Sequence, residues 1–137
     1  MQEYLNCDVI GIDIVDYGTE YVKKIIINDN KIPFEDNEFD YATFNAVLHH
    51  IPENQHIEIL KEVKRTAREI IVFEDEKNIL SYLFDFLSNP KEMNISLSHK
   101  RNDDWIKLFK ELKFKVKSFK VKKPIYYPIK NHLFLLR

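Results

Sequence analysis

The stretch "IPFEDNEFDYATFNAVLHHIP", Ile32 to Pro52, decides how the rest of the chain is read. A proline-led entry and an acidic turn at Asp36 and Asn37 feed a short aromatic-rich run. Turn formers on one side and alternating large side chains on the other predict a strand over Phe39–Phe44. Asn45 and the pair His49 and His50 follow it, and Pro52 opens a helix in which Ile57, Leu60, Val63 and Ala67 recur at helical spacing. Lys61, Lys64, Arg65 and Arg68 gather toward its end, where positive charge complements the macrodipole. Two readings stay open: the rim of a binding site, or a loop that only feeds a core strand.

Working outward toward the N-terminus, "DVIGIDI" (Asp8–Ile14) is a buried-strand pattern that ends in an acid. Gly18 and Thr19 mark a turn, Glu20–Lys24 is expected to make one or two helical turns, and Lys24–Ile27 is a second strand closed by Asn28, Asp29 and Asn30. In the other direction, "EIIVF" (Glu69–Phe73) is a fourth strand, followed by the acids Glu74 to Glu76. Strands alternating with helices argue for an α/β layer fold with a mostly parallel sheet.

The C-terminal half changes character. "ILSYLFDFL" (Ile79–Leu87) is apolar nearly all round, so a helix there is expected to be buried or to cover something; Asn89 and Pro90 end it. A further helix is expected from Asp103, with Trp105, Leu108, Phe109 and Leu112 on one stripe. Phe114–Val121 alternates, but the alternation flips at Ser118 and Phe119, which predicts a bulge near Ser118 in a lysine-rich strand near a sheet edge. His132–Leu136 makes a last strand, and Pro124–Asn131 connects the two as a hairpin.

Composition bounds the function classes. A chain of 137 residues, 45% hydrophobic and 31% charged, suits one domain over residues 1–137 with a real core. Cys7 stands alone, which argues against a disulfide framework and a thiolate metal cluster, so no metal site is expected. No apolar run approaches the roughly 18 residues of a spanning helix and no signal-peptide pattern occurs, so a cytoplasmic protein without a membrane partner is expected. The net charge of -1 hides an asymmetry: residues 100–137 carry 12 basic and 3 acidic residues, whereas residues 1–99 carry 9 and 19. Such polarity suits halves that fold together, two chains pairing head to tail, or a patch for an anionic partner. Gly11 and Gly18 are the only glycines, where average usage of about 7% would give roughly nine or ten. A glycine-rich phosphate or carboxylate cradle is therefore not encoded in this stretch of sequence.

The order of elements and the local motifs resemble the class I S-adenosylmethionine-dependent methyltransferases, more narrowly the small-molecule branch with an "LPF-acid-x-x-FD … LHH" signature. The segments that carry the resemblance are "VIGIDI" (Val9–Ile14), Ile32–Pro52, "ILKEVKRTA" (Ile59–Ala67), "IIVFED" (Ile70–Asp75) and "DDWIKLFKELKFKV" (Asp103–Val116). The resemblance implies a Rossmann-like sheet, mostly parallel with an antiparallel C-terminal hairpin and strand order 3-2-1-4-5-7-6. It also implies S-adenosylmethionine as cofactor and a small-molecule methyl acceptor.

By the same resemblance Asp13 accepts hydrogen bonds from the ribose hydroxyls, Asn28 or Asp29 contacts the adenine amino group, and Asn45 borders the methionyl portion near the transferred methyl. His49 and His50 border the acceptor pocket, where an imidazole suits a general base near neutral pH; capping of the following helix is the other reading. Asp40 is expected to support the strand rather than touch ligand. Ile79–Leu87 and Asn94–Asn102 occupy the place of acceptor-pocket or lid elements.

The family's first strand, its helix and its glycine-rich turn are expected to be missing, since "MQEYLNCD" resembles the tail of the helix that follows that turn. Without that strand the sheet would hold either a gap or a direct pairing of the family's second and fourth strands. Lys113 stands where the family has a left-handed glycine after the penultimate helix, so the usual left-handed cap residue is expected to be lost. Three accounts follow: a methyltransferase with a reduced site or one completed by another chain; a non-catalytic fold that binds a homodimer mate or a full-length methyltransferase; or a hairpin whose Lys113, Lys115, Lys117, Lys120, Lys122 and Lys123 contact nucleic acid, a partner not otherwise expected.

Overall fold

The computed structural model describes residues 7–14, 22–79, 83, 87, 97–122 and 130–137. Strands β1 (Ile10–Asp13) and β2 (Lys23–Ile26) pair in parallel, with Ile12 opposite Ile25. A second sheet holds β3 (Phe39–Asn45), β4 (Ala67–Asp75), β5 (Val116–Lys120) and β6 (Asn131–Leu136) in the order β3-β4-β6-β5. β3 and β4 are parallel, while β6 runs antiparallel to both β4 and β5. No ladder joins β1 to β3 among the described residues, so of the two arrangements expected without a first strand, direct pairing is not the one adopted. The helical turns expected over Glu20–Lys24 lie mostly outside the described residues; Lys23 already belongs to β2.

Helix α1 (His56–Thr66) packs on one face of the larger sheet through His56, Ile59, Leu60, Val63 and Thr66. This stripe is rotated from the expected one. Ile57 is 46% exposed, because the helix starts at His56 and turns its first apolar residue outward. Ala67 is buried, but as the first residue of β4. Helix α2 (Asn102–Glu111) buries Trp105 and Phe109 against the same face, with Leu108 and Leu112 partly buried beside them. Phe109 lies 5.9 Å from Trp105 and 5.3 Å from Phe134 by ring centroids. Leu60, Val72, Phe109, Phe134 and Leu136 are fully buried, each contributing about 1.5–3 kcal/mol by removal from water.

Two expectations are corrected here. β5 carries no bulge at Ser118: its register with β6 runs unbroken from Val116↔Leu136 to Lys120↔His132. The flip in the pattern has another cause. β5 is an edge strand, Ser118 Oγ turns toward α2 and meets Asn102 Oδ1 (3.2 Å), and Phe119 stands on the opposite face, 49% exposed. Second, Lys113 itself takes the left-handed conformation, φ 61°, at the end of α2. Lys64 Nζ reaches across from α1 to the carbonyls of Leu112 (2.8 Å) and Lys113 (3.2 Å) and lies over the Phe114 ring, so a cation closes the helix end.

In the apolar stretch Ile79–Leu87, the described residues Ile79, Leu83 and Leu87 are helical and exposed rather than buried. Residues 94–96 lie outside the described residues, and 97–101 are irregular. No described helix is long and apolar enough to cross a membrane.

The signature loop has a mechanical explanation. Arg65 Nη2 donates to the Ile32 carbonyl (2.9 Å), Arg65 Nη1 donates to the Phe34 carbonyl (2.7 Å) and pairs with Asp36 (3.0 Å). Glu62 Oε2 accepts from the Ile32 N–H (3.1 Å), and the Asn37 N–H donates to the Arg65 carbonyl (2.8 Å). Asn37, left-handed at φ 55°, is a residue type that tolerates this turn. The loop from Ile32 to Asn37 is thus clipped to the end of α1, which sets the entry into β3.

Candidate functional site

In open α/β sheets ligands bind outside the carboxyl ends of parallel strands. Asp13 is the last residue of β1, Asn28 and Asp29 follow the end of β2, and Asn45 is the last residue of β3. Asp13 Oδ1 accepts from the Ile14 N–H (2.7 Å), while its carbonyl accepts from the Ile27 N–H (2.9 Å). The second bond brings the Asn28–Asp29 turn beside Asp13. Asp29 Oδ1 accepts from the Lys31 N–H (3.0 Å) and so shapes that turn, and both Asn28 and Asp29 are exposed. Asn45 is exposed on the other sheet, in one continuous segment with the histidine pair. Carboxylate and amide oxygens at strand ends suit hydroxyl and amino donors, as a nucleoside carries.

After β3 the chain turns sharply. Ala46 is left-handed, φ 53°, with its N–H bound to the Phe73 carbonyl (2.8 Å), and a 3-10 turn follows over Leu48–His50. The fully buried Glu74 organises this turn. Glu74 Oε1 accepts from the N–H groups of Val47 (3.0 Å) and Leu48 (2.7 Å), and Oε2 meets His49 Nδ1 at 2.5 Å. His49 is 1% exposed and its ring stacks on His99 at 4.4 Å; His50 is partly exposed, 4.1 Å from His49. Of the two histidines, His50 is the one with an open side.

The turn is held from a second direction. Ser98 N–H donates to the His49 carbonyl (2.7 Å), and Ser98 Oγ donates to the carbonyls of Ile51 (2.6 Å) and His49 (3.1 Å). His56 Nε2 donates to the carbonyls of Leu48 (2.9 Å) and Ile51 (3.0 Å), so it is a structural donor at the start of α1. Burial, reinforced by nearby Lys100, pushes the His56 imidazole below its ordinary value against the opposing pull of those two carbonyls. Lys100 in turn bonds Glu53 and holds that carboxyl below its ordinary value.

Glu74, His56, Ser98 and His99 are the residues that motif reading passes over. Only Glu74 left a signal: Ile70, Val72 and Glu74 alternate along one face of β4, so the acid lies in the core-facing series rather than in a solvated run. Asp40 pairs with Arg68 across the exposed side of β3 and β4 (2.7 Å), in the supporting role expected of it. Shallow, solvent-open depressions lie along α2, and the six candidate residues do not line them. No group of three or more His, Cys, Asp or Glu arranged to hold a metal ion occurs among the described residues.

A family model described as a methyltransferase domain matches residues 1–70, more than half of the chain. The chain belongs to the methyltransferase domain family. Solved structures carry the likeness along nearly its whole length. An S-adenosylmethionine-dependent methyltransferase from Methanosarcina mazei aligns at TM-score 0.64 with 16% identity, covering 94% of this chain and 81% of that one. A second, from Archaeoglobus fulgidus, aligns at 0.66 with 13% identity, covering 98% and 78%. The Burkholderia thailandensis 1,6-didemethyltoxoflavin-N1-methyltransferase, solved with 1,6-didemethyltoxoflavin and S-adenosylhomocysteine, aligns at 0.66 with 13% identity, covering 99% and 73%. No curated protein matches the chain. The α/β methyltransferase fold expected from the sequence is the fold of this methyltransferase domain, with parallel strands and an antiparallel C-terminal hairpin.

Proposed function

We propose that this methyltransferase domain binds S-adenosylmethionine across the carboxyl ends of β1, β2 and β3 and serves methyl transfer to a small-molecule acceptor. The observation that carries the reading is the placement of Asp13, Asn28, Asp29 and Asn45, all at the carboxyl ends of parallel strands. When bound, the cofactor supplies an electrophilic methyl group on a sulfonium. Asp13 accepts from the ribose hydroxyls, and Asn28 or Asp29 offers an oxygen to the adenine amino group. Asn45 lies beside the methionyl portion. His50 takes the proton from the acceptor atom that receives the methyl, with His49 held behind it by Glu74. Calorimetry with S-adenosylhomocysteine tests the reading: binding is expected, with Asp13→Ala weakening it about tenfold or more, the worth of hydrogen bonds to a charged group. No heat at millimolar ligand would defeat it.

A second reading, a non-catalytic module that pairs with its own copy or with a full-length methyltransferase, is favoured by one observation. Among the described residues the two sheets share no ladder, and Ile12, Ile14, Tyr41 and Val47 on β1, β3 and their ends are exposed. Light scattering separates the readings, since a chain monomeric at all salt concentrations and alone in solution would count against self-pairing.

A further inference from the structure

We propose that Glu74 is the positioning residue of the segment that carries Asn45 and His50, acting through the backbone of Val47 and Leu48 and through the imidazole of His49. Its functional part rests on the cofactor reading above.

A carboxylate at 1% exposure is costly unless its lone pairs are used. Glu74 uses them on one short turn: Val47 N–H and Leu48 N–H on Oε1, and His49 Nδ1 on Oε2. The preceding residue of β4 completes the grip, because the Phe73 carbonyl takes the Ala46 N–H. Two consecutive residues of β4 therefore hold four consecutive residues after Asn45. Ala46 shows why such a grip is needed. A left-handed alanine is strained, and strain of this kind persists only where the surroundings over-determine it. On the other side Ser98 holds the His49 carbonyl and His99 stacks on its ring, so the turn is fixed between β4 and the segment that leads into α2.

The chemistry selects an acid rather than an amide at this position. A carboxylate only accepts, so at 2.5 Å it requires the proton of His49 to sit on Nδ1. A glutamine of the same shape can keep its oxygen on Val47 and Leu48, but it then presents an amide N–H₂ to Nδ1, and the imidazole must move its proton to Nε2. Glu74→Gln thus changes the histidine tautomer while conserving volume.

The test combines long-range ¹⁵N–¹H spectra of histidine-labelled protein with calorimetry against S-adenosylhomocysteine. The unmodified protein is expected to show His49 protonated at Nδ1. In Glu74→Gln the proton is expected on Nε2, the Val47 and Leu48 amides exchange faster, and ligand binds about fivefold to tenfold more weakly, the worth of one net hydrogen bond. A tautomer change without loss of affinity, or an unchanged tautomer, overturns the proposal. Should Glu74→Gln not fold, Glu74→Asp keeps the accept-only group one methylene short: Nδ1 protonation is then expected to persist with faster Val47 and Leu48 exchange, and unchanged exchange overturns it. If the unmodified protein takes up no ligand, the cofactor reading falls separately, and amide exchange at Val47 and Leu48 decides whether Glu74 holds the turn.

Discussion

The side chains of Arg65 and Glu62 meet side by side, Nε to Oε1 at 3.1 Å and Nη2 to Oε2 at 2.9 Å, one turn apart on α1. The pair is the fastener of the Ile32–Asn37 loop. Glu62 and Asp36 raise the Arg65 guanidinium above its ordinary value, and the Arg65 hydrogen bonds hold the Glu62 carboxyl below its own. A lysine presents no planar fork, so Arg65→Lys cannot replace the bonds to two carbonyls and two carboxylates. Arg65→Lys and Arg65→Ala are both expected to lower the melting temperature by a few degrees, with faster amide exchange at Asn37. Thermal scans and exchange measurements check this, and a lysine variant indistinguishable from the parent would refute the fork's role.

Stability is expected to fall on the acid side in two stages. The folded-state pKa of His56 is depressed by burial, so the unfolded chain binds the proton more readily. The stability from neutral His56 is therefore fully present above its unfolded value of about 6.5. It is lost as pH falls from there through the lower folded-state value. Glu62 and Glu53, also depressed, add a second decline that begins only below their ordinary value near 4.5. Urea unfolding at pH 8, 6 and 5 should show the first stage. His56→Gln, which keeps a donor for the Leu48 and Ile51 carbonyls and does not titrate, should flatten it.

Lys113 offers a stabilising substitution. A left-handed lysine costs about 1 kcal/mol that glycine avoids, while the Lys64 contacts at this helix end are to backbone carbonyls and survive the change. Lys113→Gly is expected to raise the unfolding free energy by a few tenths of a kcal/mol, up to about 0.5, after the extra flexibility of the unfolded chain is counted. Denaturant titration with an unchanged slope is the measurement, and a loss of stability would contradict the assignment.

Phe109 and Phe119 form an internal control. Phe109 is fully buried between Trp105 and Phe134, so Phe109→Ala should cost about 3–5 kcal/mol. Phe119 is half-exposed on the outer face of an edge strand, and Phe119→Ser should stay within about 0.5–1 kcal/mol of the parent. Equal effects at the two positions would mean that the exposed face of β5 is covered in solution.

Much of this fold is legible in the residues, and the failures share one cause. The strands over 10–13, 39–45 and 67–75 announce themselves through β-branched and aromatic runs closed by turn formers, because local chemistry alone decides them. The absence of a bulge at Ser118 and the outward face of Ile57 depend on what lies across the strand or the helix, which no local pattern contains. The site divides in the same way. Strand-end acids and amides are visible as punctuation, whereas Glu74 acts on residues 25 to 27 positions earlier, and its place in the core-facing series of β4 does not reveal those partners.

The order β3-β4-β6-β5 has a consequence for synthesis. β5 emerges before β6, yet among the described strands it pairs with β6 alone, so the described sheet offers it no neighbour until residues 131–136 have left the ribosome. Trp105 and Phe109 wait as well, since Phe134 and Leu136 complete the surface on which α2 lies. The last described strand is thus a keystone: until it is made, the nascent chain carries an open apolar flank, the interval in which a chaperone would find the most to hold.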